Sequence, residues 1–455
     1  MKISFATKAA VGQAIATVAW AGDEASFPAK KGKVKVAEGG RYWLGMGARK
    51  SPAEPRDWQA VGAGIVKAAE TYDLADLAVS VSADGADLAQ AALGARMAAY
   101  RFVKHFTESD AREEKACRLQ NLVFLAPEPA GFAKVSALAD AADWARDLTN
   151  EPANIMTPAR FAQEVKSLEQ LGVEVSVLDK AALESAGLNL LLAVGAGSAN
   201  PPALAVAQWR GGPAGEAPFA LIGKGLCFDA GGLQVKPDMS MYEMHMDMAG
   251  AATVMAAVRA LAAAKAPVNV VAVAGLAENM LGASASKPGD IVKSYKGLEV
   301  EIKHTDAEGR LVLADVLAYA QERFKPAAMV DAATLTGAIC VALGSARAGA
   351  FSTSEPLSAA LQAAEKATGE RVWLMPMDED YEDGLKSSRA DLHNNPPREG
   401  SSIAAALFLK KFVDTKTCAW AHLDIAGTAM VKGASTGWGV AFLADLAEHY
   451  RNGKG

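Results

Sequence analysis

A chain of 455 residues exceeds what one ordinary hydrophobic core organises, so two domains are expected. With 51% hydrophobic and 22% charged residues, the composition is that of a folded globular protein rather than a disordered one. A net charge of -6 without a long basic run disfavours nucleic-acid binding, because phosphate contacts need clustered Lys and Arg. Cys117, Cys227, Cys340 and Cys418 are scattered and form no CxxC pair. That argues against a disulfide framework or a thiolate metal site, and it fits a reducing, cytoplasmic setting. No apolar run reads as long enough to span a bilayer, so no membrane association is expected.

Near the N-terminus, Lys2 and Lys8 precede the Ala-rich stretch Ala9 to Ala21, but Gln13 and Thr17 interrupt it. It reads as a first strand and turn rather than a signal peptide. Leu77 to Val81 reads as a strand, Asp87 to Phe102 as a helix, and Asn121 to Leu125 as a strand closed by Pro127 and Pro129. Residues 1–135 are therefore expected to form an N-terminal α/β domain, with a boundary near Ala126 to Gly131. A linker helix at 136–150 would lead into a larger domain at 151–455. There Phe219 to Ile222, ending at Gly223, Val268 to Gly275 and Met329 to Ala333 read as strands buried on both faces. Ala251 to Lys265 and Leu311 to Phe324 read as the helices between them. Such alternation implies α/β architecture with a mostly parallel central sheet, whose active site gathers at the carboxyl ends of the strands.

Three segments of the larger domain concentrate charge in apolar surroundings. Lys224 to Gly232, with Lys236 beyond it, follows the first buried strand and contains Asp229. Met244 to Gly250 sets Asp247 among methionines and alanines. Glu299 to Arg310 alternates like a strand in its front half, so Asp306 and Glu308 would share a face if the extension continued. Any one such residue is usually a cap or a solvated side chain, and methionines near a charge are usually core filling. The conjunction is different, because Asp229, Asp247, Asp306 and Glu308 gathered together would repel strongly. Two dications bridged by carboxylates would relieve that repulsion.

These segments resemble the signature of the leucyl aminopeptidase family of dinuclear-metal exopeptidases. Thr305 to Leu311 matches its hallmark stretch residue for residue. The likeness runs from Arg146–Asn150 through Ala333–Gly337 to Trp420–Thr428. It implies one metal held by Asp229, Asp306 and Glu308, and a second held by Lys224, Asp229, Asp247 and Glu308, with Mn2+ or Zn2+ as the ions. It further implies that Lys236 polarises the scissile carbonyl and that Arg310 holds a bicarbonate acting as general base. Met244, Thr334, Leu335 and Gly337 would receive the first side chain. The implied substrates are peptides with a free N-terminus, a leucine-like first residue is expected, and the implied assembly is a homohexamer. The sequence departs from the family pattern at Ala230, Gln234, His245, His304 and Pro396–Pro397, which bears on residue preference. A rival reading is a serine hydrolase built on Gly433 to Gly437 with Ser435 as nucleophile, although only His449 follows it. A catalytically silent scaffold of the same fold would be favoured by loss of Lys236, Arg310 or a ligand, and all are present.

Overall fold

The computed structural model describes residues 1–10, 13–19, 34–37, 41–46, 53–395 and 397–450. The chain divides into two compact units, Met1–Asp143 with Lys366–Gly369, and Trp144–Glu365 with Glu370–Gly455. In the first, a six-stranded sheet runs in the order Lys2–Phe5, Asn121–Phe124, Asp76–Ser80, Ala14–Ala19, Arg41–Gly45, Val34–Ala37. All its pairings are parallel except the last. The helices Pro55–Thr71 and Gly85–Ala99 place Trp58, Ile65 and Leu88 in one core with Leu77, Val79, Leu122 and Phe124 from the strands. The second helix starts where Asp84 accepts from Asp87 N at 2.8 Å, two residues before the predicted start. Of the Ala9 to Ala21 stretch, Ala14–Ala19 is a strand, while residues 11, 12, 20 and 21 lie outside the described residues, as does Pro396.

The second unit is organised by an eight-stranded sheet. Its strands lie in the order Val372–Leu374, Ala348–Ser352, Ala419–Asp424, Ala328–Ala333, Phe219–Asp229, Asn269–Asn279, Ala203–Arg210, Glu174–Leu178. The four central strands are mutually parallel, and antiparallel pairings flank them on both sides. The central strands are almost wholly buried, which is why they read as near-continuous apolar runs. One large core joins them to the helix Gly309–Phe324 through Ile222, Val271, Val273, Val312, Val316 and Met329. Asp315 of that helix lies inside this unit, where it accepts from the backbone N of Leu190 at 2.7 Å, Leu191 at 3.2 Å and Tyr295 at 2.7 Å. It thereby caps the helix Asn189–Gly195, which has no side-chain cap of its own.

Two expectations change here. The strand predicted to end at Gly223 continues to Asp229, so Lys224 lies within it. The glycine there serves close packing and not a turn, since a Cβ on Gly223 would stand 2.5 Å from Ala251 Cα on the covering helix. The stretch Met239–Ala263 is in fact long and apolar enough to cross a membrane by length and composition. Its apolar window is 89% buried within the protein, as befits a core helix.

Candidate active site

The charged residues singled out in the sequence lie at the carboxyl ends of the central strands or at the starts of the helices beside them. The strand Phe219–Asp229 carries Lys224 along its length and Asp229 at its end. The chain then turns sharply through Gly231 (φ +89°) and Gly232 (φ +67°), a left-handed conformation that side chains with a Cβ rarely adopt. Ala230 N bonds to Asn279 O at 2.9 Å and Lys236 N to Ala230 O at 3.0 Å, which folds Lys236 back over Asp229. Asp247 closes a short turn just before the helix Ala249–Ala263, and Glu308 directly precedes Gly309–Phe324 without a side-chain capping bond. Both carboxylates therefore sit where the peptide dipoles favour negative charge. Asp306 and Glu308 do not share the face of a continued strand, because the strand stops at Glu301. A turn brings them inward instead, with Ala307 N on His304 O at 3.2 Å and Asp306 N on His304 Nδ1 at 3.2 Å.

The structure gathers all six charged residues, Lys224, Asp229, Lys236, Asp247, Asp306 and Glu308. Lys224 Nζ lies 2.8 Å from Asp247 Oδ2, 3.0 Å from Glu308 Oε1 and 2.9 Å from Thr334 O. Lys236 Nζ lies 2.8 Å from Asp229 Oδ2 and is also paired with Asp306. One carboxylate oxygen from each of Asp229, Asp306 and Glu308 lies within 4.8 Å of the others. Lys224 and Glu308 are each 3% exposed, and burial of such charges demands compensation. Burial, reinforced by the neighbouring carboxylates of Glu308 and Asp247, pushes Asp229 up to about 8. It pushes Asp247 up to about 6 and raises Asp306, against the pull of Lys224 and Lys236 respectively. Only Glu308 is held below its ordinary value, where burial is outweighed by Lys224 and Lys236. Burial also opposes the charge on Lys224, but Asp247, Glu308 and Asp229 overcome it and favour the ammonium form.

Four carboxylates thus face two ammonium groups, and the cluster is short of positive charge. Glu308 Oε2 is buried without any hydrogen-bond partner among the described residues. An all-oxygen set of clustered carboxylates with an unsatisfied buried oxygen is the chemistry of a divalent-cation site, so the residues present fit metal. Arg310 is buried beside Glu308 and Asp424, and its Nε and Nη1 have no hydrogen-bond partner among the described residues. Desolvation outweighs those two carboxylates and lowers its pKa to about 10. Thr334 Oγ1 donates to Asp247 Oδ1 at 2.6 Å, Leu335 N to Asp424 Oδ1 at 3.2 Å, and a Cβ on Gly337 would meet open space. Met244, half-buried, opens the turn that ends at Asp247.

The model of the cytosol aminopeptidase family's catalytic domain matches residues 143–444, which is most of the chain. This chain belongs to the cytosol aminopeptidase family. It is a metal-dependent aminopeptidase, a hydrolase acting on peptides. A Chelativorans relative called "Probable cytosol aminopeptidase" is 45% identical over 411 residues, covering 87% of this chain and 82% of its own length. One from Rhodopseudomonas palustris with the same name is 43% identical and covers 99% of this chain and 93% of its own. Among solved structures, the bottromycin maturation enzyme BotP in complex with Mn superposes with a TM-score of 0.86 at 33% identity, covering 96% of this chain and 99% of its own. A mutant of tomato leucine aminopeptidase superposes with a TM-score of 0.88 at 29% identity, covering 99% and 97%.

The positions at which this aminopeptidase departs from its family's pattern can now be placed. Gln234 does not read as a free substrate contact, because its Oε1 accepts from Thr305 N at 2.7 Å and its own N donates to Thr305 Oγ1 at 2.9 Å. It clasps the Lys236 turn to the Asp306 turn. Ala230 is buried at the start of the glycine turn, His304 accepts from Asp306 N, and burial lowers the pKa of His245. Sequence reading missed Asn279, whose Nδ2 donates to Asp229 Oδ1 at 2.8 Å and Thr305 O at 3.0 Å. Glu278 and Asn279, a polar pair closing the apolar run Val270–Ala277, were the available signal. It also missed the buried pair His422 Nδ1 and Asp331 Oδ1, 2.6 Å apart. The Ser435 alternative fails on geometry. Ser435 lies in a two-stranded hairpin, Met430–Val431 with Ala434–Ser435, not on a strand–turn–helix elbow. His449, with its side chain 69% exposed, pairs with Asp445 instead.

Proposed function

We propose that two divalent ions, Mn2+ or Zn2+, are held by Lys224, Asp229, Asp247, Asp306 and Glu308, with Asp229 and Glu308 shared between them. The observation that carries this is the convergence of carboxylate oxygens from Asp229, Asp306 and Glu308, together with the unpartnered, buried Glu308 Oε2. Lys224 would have to be neutral to ligate, and a nearby dication would favour that form in place of the carboxylate-stabilised ammonium. Bound there, the ions supply Lewis acidity toward the carbonyl and activation of the attacking water.

The protein's own groups do the rest. Lys236, the less buried amine with its side chain 14% exposed, is held between Asp229 and Asp306 and donates to the carbonyl oxygen as negative charge develops. Arg310 presents unpaired donors from a buried position, which suits a small planar anion such as bicarbonate serving as general base. Met244, Thr334, Leu335 and Gly337 receive the first side chain, with the free α-amine of the peptide directed to the metal centre. A leucine-like preference follows from the family resemblance and from the open space at Gly337. The same reading takes residues 1–135 as an N-terminal domain, 136–150 as a linker helix and 151–455 as the catalytic domain. It places the enzyme in the cytoplasm, in peptide catabolism, as a homohexamer.

The test is hydrolysis of leucine amide and a panel of dipeptides after chelator treatment and reconstitution with Mn2+ or Zn2+. Activity should vanish with the chelator and return with either ion. A fully reconstituted protein inert across a broad panel of first residues would refute the reading.

A further inference from the structure

Asn394 follows the short strand Leu392–His393, 90 residues beyond His304, and its side chain is 0% exposed. Its Oδ1 accepts from Lys303 N at 2.9 Å and His304 N at 3.2 Å. Its Nδ2 donates to His304 O at 2.7 Å and Ala307 O at 3.2 Å. A carboxamide offers two donated hydrogens and two acceptor lone pairs, and all four are engaged with the backbone of one turn. Asn394 is itself anchored, since its backbone N donates to Glu301 O at 3.2 Å.

The turn in question joins the strand that ends at Glu301 to the helix that starts at Gly309. Neither regular element supplies hydrogen bonds to residues 303, 304 and 307, and buried backbone groups left unpaired are costly. Asn394 supplies partners to all three, and within the turn Ala307 N also donates to His304 O at 3.2 Å. Asp306 lies inside the clamped stretch, and Glu308 follows it directly. We propose that Asn394 is a positioning residue for the metal ligands: by fixing the backbone from which Asp306 and Glu308 project, it sets the affinity of the enzyme for divalent ions. The inference rests on the reading that those two carboxylates ligate metal. Outer groups that orient ligands typically change metal affinity by about 10–100-fold when removed.

The experiment measures Mn2+ dissociation constants by electron paramagnetic resonance of free Mn2+ on the full-length, chelator-stripped protein. The proteins compared are wild type, Asn394→Ala, Asn394→Asp and Asp306→Ala, each checked for cooperative unfolding by circular dichroism. Asn394→Asp keeps size and acceptor oxygens but loses both donated hydrogens, leaving the carbonyls of His304 and Ala307 facing a carboxylate. Both Asn394 variants should fold and bind Mn2+ about 10–100-fold more weakly. A folded Asn394 variant with a dissociation constant within about twofold of wild type overturns the proposal, whatever its melting temperature, since the expected change is at least about tenfold. So does failure of both variants to fold, which would mean that the amide sustains the fold and does not tune the site. If Asp306→Ala also retains full affinity, the ligand assignment itself is wrong. If Asp306→Ala loses metal while the Asn394 variants keep it, only the positioning role falls.

Discussion

Gly309→Ala isolates the steric constraint on Lys224. Residue 309 opens the helix Gly309–Phe324 with helical backbone, so alanine meets no conformational penalty there. A Cβ at this position would stand 2.5 Å from Lys224 Cε, 2.7 Å from Nζ and 2.8 Å from Cδ. Ordinary carbon contacts lie near 3.5–4.0 Å, so the end of the lysine must move by about 1 Å. A free lysine would swing aside at little cost. This one is held by Asp247 Oδ2 at 2.8 Å, Glu308 Oε1 at 3.0 Å and Thr334 O at 2.9 Å. A shift of about 1 Å carries one or two of those contacts past hydrogen-bonding distance. At roughly 1.5–3 kcal/mol for each charge-assisted bond, the loss is about 2–5 kcal/mol. The greater helix preference of alanine returns at most about 1 kcal/mol. Urea unfolding of the chelator-treated protein should therefore show a net destabilisation of about 1–4 kcal/mol. Titration with Mn2+ should show at least about a tenfold loss of affinity, since one proposed ligand is displaced. Unfolding and Mn2+ binding both indistinguishable from wild type would refute the claim that Lys224 is pinned against Gly309.

Two further substitutions separate metal binding from catalysis and test a buried charge. Asp306→Ala should strip bound metal, whereas Lys236→Ala should retain metal by elemental analysis while turnover collapses; equal metal loss in both would refute that division. Burial works against a charged His422, but the Asp331 carboxylate outweighs it, so its pKa is raised in the folded state. The folded protein then binds the proton more tightly, and this stabilisation is complete below about pH 6.5 and lost as pH rises through the elevated value. The stability difference between metal-free wild type and His422→Asn should shrink across that window, by about 1.4 kcal/mol for each unit of elevation. A difference that does not change between pH 6 and pH 9 would show that His422 binds its proton no more tightly in the folded protein than in the unfolded one.

The central sheet was legible in the sequence because its strands are covered on both faces. Within Val268 to Gly275, the stretch from Val270 onward leaves no polar position that could be confused with a surface. The limits of the elements were less legible. Glycine serves both turns and close approaches, and only the helix packed over Gly223 reveals which applies there. Alternation from Glu299 onward could not show that the strand stops at Glu301. Beyond that break Asn394, 90 residues away from His304, takes up hydrogen bonds of the next few residues.

The same contrast separates the proposed ligands from the groups that support them. Asp229, Asp247, Asp306 and Glu308 stood out because charge in apolar surroundings is expensive wherever it occurs. Asn279, Gln234 and Asn394 are neutral, and their value lies in meeting backbone groups whose positions no sequence spacing states. The two lysines show how far type alone carries the argument. Both are amines beside carboxylates, yet Lys224 is fixed within a central strand and tied to three oxygens, while Lys236 sits on the glycine turn and remains partly open. A group locked among carboxylates is suited to become a ligand when a dication enters. A tethered ammonium at the opening is suited to meet a substrate carbonyl. Exchanging their roles would require the strand to end where Gly223 suggested, and it does not.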